Sequence, residues 1–350
     1  MTKLLDQFPG PRFNLEGKPH LYFVGTAYLG LQSDPEFQKC FMNNISRYGT
    51  HYGASRNANV QITIYSEAEQ QLKEVVGAEA ALTLSSGYLA GQLLANYFNH
   101  PDYTLFYTRE SHAALYQGKT PAFSSYNKLK EDLREHLATK KTKPVLFIDT
   151  MENKEASYPC FEALKDLPLS HCILIADDSH GFGVMGSEGR GAFSILAGLK
   201  PSNLLVCFSM GKAIGIPAGA VVGSKEMINK LAKTEFYGAA SPANPAGLAT
   251  LIQSWELIQS RSRQLKNRVN LFLSLLENPD VFLFIPSQPA FGYRNPGLTD
   301  FLKKHNILLT HFHYPNEDSE PTSRIVLTAD HSEKEIIRLA LLINQYFQSH

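Results

Sequence analysis

Short apolar runs, separated by helical or polar segments, occupy the middle of the chain. They lie at residues 80–84, 145–149, 173–177, 204–208 and 220–222. Strands that are apolar throughout, instead of at alternate positions, are typical of a parallel sheet covered by helices on both faces. The pattern therefore predicts an α/β fold with a mainly parallel sheet. Ligands of such sheets bind at the carboxyl ends of the strands.

Helical periodicity and helix-start signals fill much of the remaining chain. Helix starts are predicted by Asp34-Pro35 and by the capping boxes Ser66-x-x-Glu69 and Ser332-x-x-Glu335. A long apolar face predicts a continuous helix over residues 246–276, followed by short strands. We therefore predict an N-terminal arm at 1–30, a large domain at 31–240, and a connecting helix with a smaller α+β domain at 241–350.

Composition argues against several classes of partner. The 350 residues include 33 basic and 33 acidic side chains, so no excess charge attracts nucleic acid or an anionic membrane. No apolar run approaches the roughly 18 residues of a membrane-spanning helix, and residues 1–13 lack the apolar core of a signal peptide. The four cysteines are scattered, so we expect a cytoplasmic protein with reduced thiols.

A lysine follows the apolar run at 204–208. It lies in the small-residue turn Ser209-Met210-Gly211-Lys212, between strongly apolar segments. Burial disfavours the ammonium form and lowers the pKa of a lysine, which leaves a neutral amine that can act as a nucleophile. Lys212 is therefore a candidate to form a Schiff base.

A second polar cluster, Asp177-Asp178-Ser179-His180, ends the run at 173–177. These residues could bind a metal, but no further ligand lies nearby at metal spacing, so we predict no metal site. They could also simply cap the strand, or Asp177 could hold a positive charge on a ring nitrogen of a ligand that His180 contacts. The string from Gly181 to Gly186 matches GxGxxG but lacks the helix and the acid of a dinucleotide site.

Three further candidates have an ordinary structural alternative. Ser85-Ser86-Gly87 lies between a predicted strand and a predicted helix. Free N–H groups and the helix dipole make such a turn a phosphate cradle, although most turns only change direction. His112 is either a surface or core histidine or a ligand contact. Arg324 is either a surface arginine or a clamp for a carboxylate.

One cofactor would use these groups together. Lys212 could hold its aldehyde, Asp177 could keep a ring nitrogen protonated, and His112 could stack on the ring. Its phosphate could be held by Ser86, Gly87, Tyr88 and Ser209. These features indicate pyridoxal 5′-phosphate (PLP), whose ring withdraws electrons from a bound amino acid.

The motifs resemble, in order, those of the α-oxoamine synthases, fold-type I PLP enzymes that include 8-amino-7-oxononanoate synthase. The matching segments are 28–31, 85–88, 111–113, 177–191, 209–212 and 324–331. The string Asp-Asp-x-His-x-x-Gly-x-x-Gly-x-x-Gly-Arg-Gly from Asp177 to Gly191 is highly specific. The resemblance covers roughly residues 26–345 and implies the PLP-dependent transferase fold of the aspartate aminotransferase type.

The resemblance also implies roles around the cofactor ring. Lys212 would attach the cofactor covalently and move the substrate α-proton. Asp177 would pair with the pyridine nitrogen, His180 would bond the 3′-oxygen, and His112 would stack on the ring.

The remaining implied roles concern the phosphate and the substrate. The phosphate contacts implied within one chain are Ser86, Gly87, Tyr88 and Ser209. Ser241 matches a contact to the phosphate of the partner subunit, so the family implies a homodimer with shared active sites. Arg324 matches the arginine that receives the substrate carboxylate. Ser55, in the loop 49–56 that matches a Gly-Ser-rich family loop, is assigned to substrate binding.

The implied activity is the decarboxylative condensation of a small amino acid with an acyl-CoA. A PLP aminotransferase and a non-catalytic dimeric relative are the alternatives. The chain departs from the family in its short arm before Tyr28, in the bulky His51 and Tyr52 of loop 49–56, and in a shortened segment at 152–159. We therefore expect an intact PLP core with an altered acyl-donor side.

Overall fold

The computed structural model describes residues 4–108, 111–118, 125–151, 161–286, 288–313 and 321–349. Segment 152–159, which the sequence analysis singled out, lies outside the described residues. The strands are β1 (Arg12–Leu15), β2 (Lys18–Phe23), β3 (Ala80–Leu84), β4 (Tyr103–Tyr107), β5 (Lys143–Asp149), β6 (Ile173–Asp177), β7 (Asn203–Ser209), β8 (Gly219–Gly223), β9 (Leu283–Phe284), β10 (Ala290–Gly292), β11 (Ile307–His313) and β12 (Pro321–Val326). The helices are α1 (Pro35–Tyr48), α2 (Ile64–Val76), α3 (Gly87–Phe98), α4 (Tyr126–Thr139), α5 (Phe161–Lys165), α6 (Phe193–Ala197), α7 (Lys225–Ala232), α8 (Glu235–Ala239), α9 (Pro245–Gln253), α10 (Trp255–Leu275), α11 (Pro296–Lys304) and α12 (Glu333–Ser349).

The first of two six-stranded sheets has the strand order β3-β8-β7-β6-β5-β4. Strands β4 to β7 are parallel neighbours, whereas β8 is antiparallel to both β7 and β3. The predicted mainly parallel α/β sheet is confirmed, but the run at 220–222 forms an antiparallel strand. The short connection from β7 to β8 explains this direction, because a parallel pair needs a crossover of about a dozen residues or more.

Both faces of this sheet are buried, which explains why its strands are apolar throughout. Leu174 and Ala176 of β6 pack into one core with residues of α4 and α6. Ile173 and Ile175 of the same strand pack into a second core, which includes residues of α3 and α7. Side chains alternate between the faces of a strand, so each face needs its own apolar positions. The sequence analysis missed β4, a half-buried strand at the sheet edge.

The second sheet joins the two ends of the chain. Its order is β1-β2-β11-β12-β10-β9, and β2 pairs in parallel with β11 through Leu21, Tyr22 and Phe23. Leu21 and Phe23 pack in the same core as side chains of α10 and α12. Residues 12–23, which the sequence analysis assigned to an arm, therefore contribute two strands to the C-terminal sheet.

Two of the predicted helix boundaries are wrong. The predicted helix over 246–276 is divided at Ser254, whose backbone leaves the helical region, into the buried α9 and the amphipathic α10. The proposed capping box at Ser66 is also absent, since α2 already begins at Ile64. Its acidic partner, Glu69, instead accepts hydrogen bonds from the backbone and hydroxyl of Thr83 at 2.9 and 2.8 Å.

The capping box before α12 is confirmed and belongs to a buried polar corner. Glu335 accepts a hydrogen bond from the backbone N–H of Ser332 at 2.7 Å and pairs with Arg12 of β1. Next to it, His331 is fully buried and stacks on Phe23 with ring centroids 4.1 Å apart. Nδ1 of His331 accepts from the backbone N–H of Thr328 at 2.9 Å, so this imidazole is neutral in the folded protein.

We expect His331 to make the protein less stable in mild acid. Burial lowers its pKa from 6.5 to about 4, although the charge of Glu335 opposes the shift. Between those values the unfolded chain takes up a proton that the folded protein does not, so stability is fully present above pH 6.5 and declines as pH falls to about 4. The loss should reach about 3 kcal/mol.

Urea titrations of the wild type and His331→Gln across this pH range test the expectation. The variant is less stable at neutral pH because it loses the stacked ring. Its free energy of unfolding should fall less steeply with acid than that of the wild type. Equal slopes for the two proteins would show that His331 does not carry the effect.

Candidate active site

Parallel strands bring the carboxylates of the site together. Asp149 and Asp177 are the last residues of β5 and β6 and are direct partners across the two strands. Both residues are buried, with 6% and 7% exposure. Ser209 ends β7, and Lys212 lies in the turn that follows. Because parallel strands end at one edge, these groups meet at a pocket lined by His112, Asp149, Met151, Asp177, His180 and Lys212.

Lys212 is fixed through both its backbone and its amine. The side-chain amide of Gln32 donates to the carbonyl oxygen of Lys212 at 2.8 Å. Nζ of Lys212 lies 2.8 Å from Nε2 of His180. Burial lowers the pKa of the Lys212 amine, although the negative charges of Asp177 and Asp149 oppose the shift. The structure therefore favours the neutral amine more than an exposed site would.

His180 lies between Lys212 and a buried tyrosine. Its Nδ1 is 2.8 Å from the hydroxyl of Tyr28, a residue with 1% exposure. Burial holds the pKa of His180 well below its usual value, and the positive charges of Lys212 and Arg324 act in the same direction. Burial also raises the pKa of Tyr28 to about 12. Both rings are therefore uncharged at neutral pH.

His112 is positioned by its own main chain. It is the N-cap of a short 3-10 turn, its backbone N–H donates to Oδ2 of Asp149 at 3.1 Å, and its Nδ1 accepts from Ala114 N–H at 3.2 Å. Nδ1 is also 4.0 Å from Oδ2 of Asp177. Burial lowers the pKa of His112, and its Nδ1 already accepts a hydrogen bond. The imidazole is therefore neutral, and its contact with Asp177 is not an ion pair.

Asp178 organises the glycine-rich loop that follows the site. It has 1% exposure, and its two oxygens accept from the Thr150 hydroxyl at 2.6 Å and from Ala192 N–H at 2.8 Å. A Cβ on Gly181 or Gly191 would lie 2.0 or 2.3 Å from these oxygens. The first glycine of the string that resembled a dinucleotide motif, Gly181, therefore makes room for a buried carboxylate, as does Gly191 further along the loop. Burial raises the pKa of this carboxyl to about 7.

The N-terminus of α3 faces the end of β7. Ser86 is the N-cap of this helix, and its hydroxyl accepts from Leu89 N–H at 3.1 Å. A Cβ on Gly87 would lie 2.6 Å from Cβ of Ser209, so only glycine allows this approach. Tyr88 is 55% exposed. The structure thus brings together the four residues that the sequence analysis assigned to a phosphate.

Two other predicted site residues lie in surface segments. The carbonyl of Ser241 accepts from Ser85 N–H at 3.2 Å, and its hydroxyl is 3.2 Å from Nε2 of His51. Ser241 therefore lies beside the α3 N-terminus of its own chain. The hydroxyl of Ser55 donates to the Gly238 carbonyl at 2.6 Å and accepts from Asn57 N–H at 3.0 Å, so its described bonds tie its loop to α8.

Arg324 reaches the site from the second sheet. It lies on β12, opposite Thr310 of β11 and Gly292 of β10. Burial is the main cause that lowers the pKa values of Lys212 and His180, and the positive charge of Arg324 acts in the same direction. The guanidinium on the second sheet therefore acts electrostatically on two residues that line the pocket, Lys212 and His180.

The sequence analysis gave no role to two residues at the centre of the site. Asp149 ends a predicted strand just as Asp177 does, and that shared position was the available signal. Tyr28 belongs to a segment quoted for the family resemblance, but its contact with His180 spans 152 positions in sequence. Nothing local indicates such a contact.

The described residues contain neither a metal-binding cluster nor a membrane-spanning helix. No group of three or more His, Cys, Asp or Glu side chains in this part of the chain is arranged to hold a metal ion. Among the helices that the structure describes, none has both the length and the apolar character needed to cross a bilayer.

We expect Asp178 to act on stability through its hydrogen bonds. Asp178→Ala leaves the Ala192 N–H buried without its acceptor and should lower the free energy of unfolding by about 1–3 kcal/mol. Asp178→Asn can still accept from that N–H and can donate to the Thr150 hydroxyl, so it should cost clearly less. Urea denaturation measures both variants. Equal losses would contradict the assignment of these hydrogen bonds.

Known proteins resemble this chain over nearly its whole length. A family model described as aminotransferase class I and II matches residues 27–343. The 8-amino-7-oxononanoate synthases of Azoarcus sp. (strain BH72) and Nitrosococcus oceani are each 28% identical to it. These alignments cover 96% of the chain and 90% and 94% of the two relatives.

Solved structures share the fold. Serine palmitoyltransferase of Sphingomonas wittichii superposes with a TM-score of 0.81 at 18% identity, covering 99% of this chain and 92% of that one. The 8-amino-7-oxononanoate synthase of Francisella tularensis gives a TM-score of 0.70 at 19% identity, covering 94% and 98%. The predicted transferase fold and the predicted family resemblance are therefore confirmed. The chain belongs to the aminotransferase class I and II family.

Proposed function

We propose that this protein is a PLP-dependent acyltransferase that condenses a small amino acid with an acyl-CoA, releasing carbon dioxide and CoA. The relatives named 8-amino-7-oxononanoate synthase support this activity over nearly the whole chain. The observation that carries the proposal is the amine of Lys212, buried 2.8 Å from His180 in a pocket that Asp149 and Asp177 also line. A lysine with a lowered pKa in such a pocket is suited to covalent catalysis on carbonyl compounds.

The phosphate of PLP fits the N-terminus of α3. The first N–H groups of a helix have no acceptor within the helix, and together with the helix dipole they favour an anion. Here they come from Gly87 and Tyr88, and the close approach of Gly87 to Ser209 places the end of β7 against this helix N-terminus. Ser86, Gly87, Tyr88 and Ser209 would hold the phosphate.

The ring of PLP fits the uncharged and acidic groups of the pocket. When bound, PLP supplies a carbonyl carbon for an amine and a ring that withdraws electrons from the substrate carbon beside the carboxylate. Asp177 would hold a proton on the ring nitrogen, since its buried carboxylate favours a nearby positive charge. His112, neutral and fixed by its backbone, would stack on the ring, and His180 would bond its 3′-oxygen.

Lys212 would act twice in the reaction. Its neutral amine is the nucleophile for attachment, and after the substrate displaces it, Nζ can accept the proton from the substrate α-carbon. A base works best when its pKa lies near the working pH, and burial moves the pKa of Lys212 in that direction. Arg324 would bind the substrate carboxylate through paired N–H groups. Ser55 would help to shape the substrate loop through its bonds to Gly238 and Asn57.

We further propose a homodimer in which Ser241 contacts the phosphate bound by the partner subunit. Support comes from the family resemblance at this position and from the exposure of Ser241 at the protein surface.

A cytoplasmic location is part of the same proposal. Cys40, Cys172 and Cys207 are free thiols among the described residues. Burial raises the pKa of the Cys172 thiol to about 11, so it stays protonated and unreactive. Free thiols are typical of proteins in a reducing compartment.

Replacing Lys212 tests the proposed activity. In Lys212→Ala, purified protein mixed with PLP should lack the absorbance of covalently attached cofactor, because the amine is gone. Release of CoA from an acyl-CoA and an amino acid should fall by about 10²–10⁴-fold or more. Lys233→Ala, which removes an exposed lysine at the end of α7, is the matched control and should change neither signal.

The same assay separates the alternatives. An aminotransferase would convert PLP to its amine form with an amino acid alone and would release no CoA from any acyl-CoA offered. A non-catalytic relative would show neither reaction, and its spectrum would not depend on Lys212. Either pattern in the wild type would refute the proposed acyltransferase.

Mixing two inactive variants tests the shared active site. Ser241→Asp should block PLP binding by placing a negative charge against the phosphate. If Ser241 contacts the phosphate in the partner's site, a mixed dimer of one Ser241→Asp subunit and one Lys212→Ala subunit contains one intact site. That site combines Lys212 of the first subunit with Ser241 of the second. Mixing the two variants under conditions of subunit exchange should therefore restore CoA release. If Ser241 serves its own chain, no hybrid site is intact and the mixture stays inactive. Sedimentation of the wild type should give the mass of a dimer.

A further inference from the structure

Three polar groups form a continuous chain of hydrogen bonds into the pocket. The hydroxyl of Tyr28 lies 2.8 Å from Nδ1 of His180. Nε2 of the same ring lies 2.8 Å from Nζ of Lys212. Tyr28 comes from the segment before α1 and is 1% exposed, so water does not compete for its hydroxyl.

The direction of these bonds follows from the charge of each group. A neutral imidazole carries one N–H, and its other nitrogen accepts. The Tyr28 phenol keeps its proton, since burial raises its pKa to about 12. If that O–H donates to Nδ1, the proton of His180 lies on Nε2 and points at Lys212. The Lys212 amine must then accept, which only its neutral form can do.

We propose that Tyr28 is a positioning residue that fixes the Nε2–H tautomer of His180 and thereby favours the neutral form of the Lys212 amine. The effect of Tyr28 on catalysis rests on the proposed PLP function, whereas the tautomer of His180 does not depend on that function. The bond from the second ring nitrogen of a histidine generally sets which nitrogen faces a ligand. Here that bond comes from Tyr28.

The opposite arrangement leaves a buried group unsatisfied. If Lys212 were an ammonium, it would donate to Nε2, and Nδ1 would carry the proton and donate to the Tyr28 oxygen. The Tyr28 O–H would then have to find another acceptor in the protein interior. A buried donor without an acceptor is costly, so the chain of bonds opposes protonation of Lys212.

Several other groups shift the pKa of the Lys212 amine, and the variant used in the test must leave them unchanged. Burial lowers the pKa of this amine, Asp177 and Asp149 raise it, Arg324 lowers it, and Cys207 raises it only in its thiolate form. His180 and His112 also line the pocket. The variant Tyr28→Phe removes one hydroxyl and alters none of these charges.

Nitrogen NMR of the imidazole rings, without PLP, tests the tautomer directly. In ¹⁵N-labelled wild-type protein the signal of His180, identified by its absence in His180→Gln, should show a proton on Nε2 and none on Nδ1. Tyr28→Phe should move a substantial share of the ring to the Nδ1–H form. Tyr65→Phe is the matched control, because Tyr65 is equally buried and its hydroxyl donates to the Ala243 carbonyl at 3.0 Å.

The rate of PLP attachment to the apoprotein tests the consequence for Lys212. Only the neutral amine attacks the aldehyde, so the rate rises with pH through the pKa of Lys212. Loss of one hydrogen bond should make attachment about five- to tenfold slower in Tyr28→Phe at a pH below that pKa. The pH profile should move to higher pH, and Tyr65→Phe should follow the wild type.

The outcomes distinguish this inference from the proposed function. A proton on Nδ1 of His180 in the wild type would overturn it without any variant. An unchanged tautomer in folded Tyr28→Phe, or equal effects of Tyr28→Phe and Tyr65→Phe, would also overturn it. A wild type with the Nε2–H tautomer that never attaches PLP would refute the proposed function and leave the tautomer assignment in place.

Discussion

The placement of one amine inside the protein is the constraint on which the site depends. A buried lysine loses the solvation of its charge, and the structure compensates only in part through the carboxylates of Asp149 and Asp177. Among the described residues, the direct partner of the Lys212 amine is the uncharged imidazole of His180. Burial therefore shifts the amine toward its neutral form, which is the form that acts as a nucleophile and base.

The site is completed by residues from both sheets. The large sheet supplies the two carboxylates and the turn of Lys212, because its parallel strands end at one edge. Tyr28 precedes α1, but its carbonyl accepts from Ala329 N–H at 2.8 Å, after the last strand of the second sheet. Arg324 lies on that strand. The N-terminal hairpin and the C-terminal strands therefore form one support that carries Tyr28 and Arg324 to the pocket.

The two adjacent acids of the Asp-Asp-Ser-His segment have different tasks. Asp177 ends its strand in the pocket, whereas Asp178 turns away and ties the glycine-rich loop to the sheet. Glycine is required at Gly181 and Gly191 because a Cβ there would collide with the Asp178 carboxylate. Packing against Asp178 thus explains the first glycine of the string that resembles a nucleotide fingerprint and the last glycine of the longer family string.

The sequence by itself determined the strands of the first sheet other than β4, and it placed Asp177 and Lys212 at the carboxyl ends of strands. It also determined the turn before α3 and, through the order of its short motifs, the family resemblance. These features are local, since apolar periodicity and turn residues act over a few positions. Only the tertiary structure decided the antiparallel direction of β8, the pairing of residues 12–23 with β11, the interruption at Ser254 and the contact of Tyr28 with His180. Each depends on partners far apart in the chain, and a local pattern shows that a side chain will be buried but not against which neighbour.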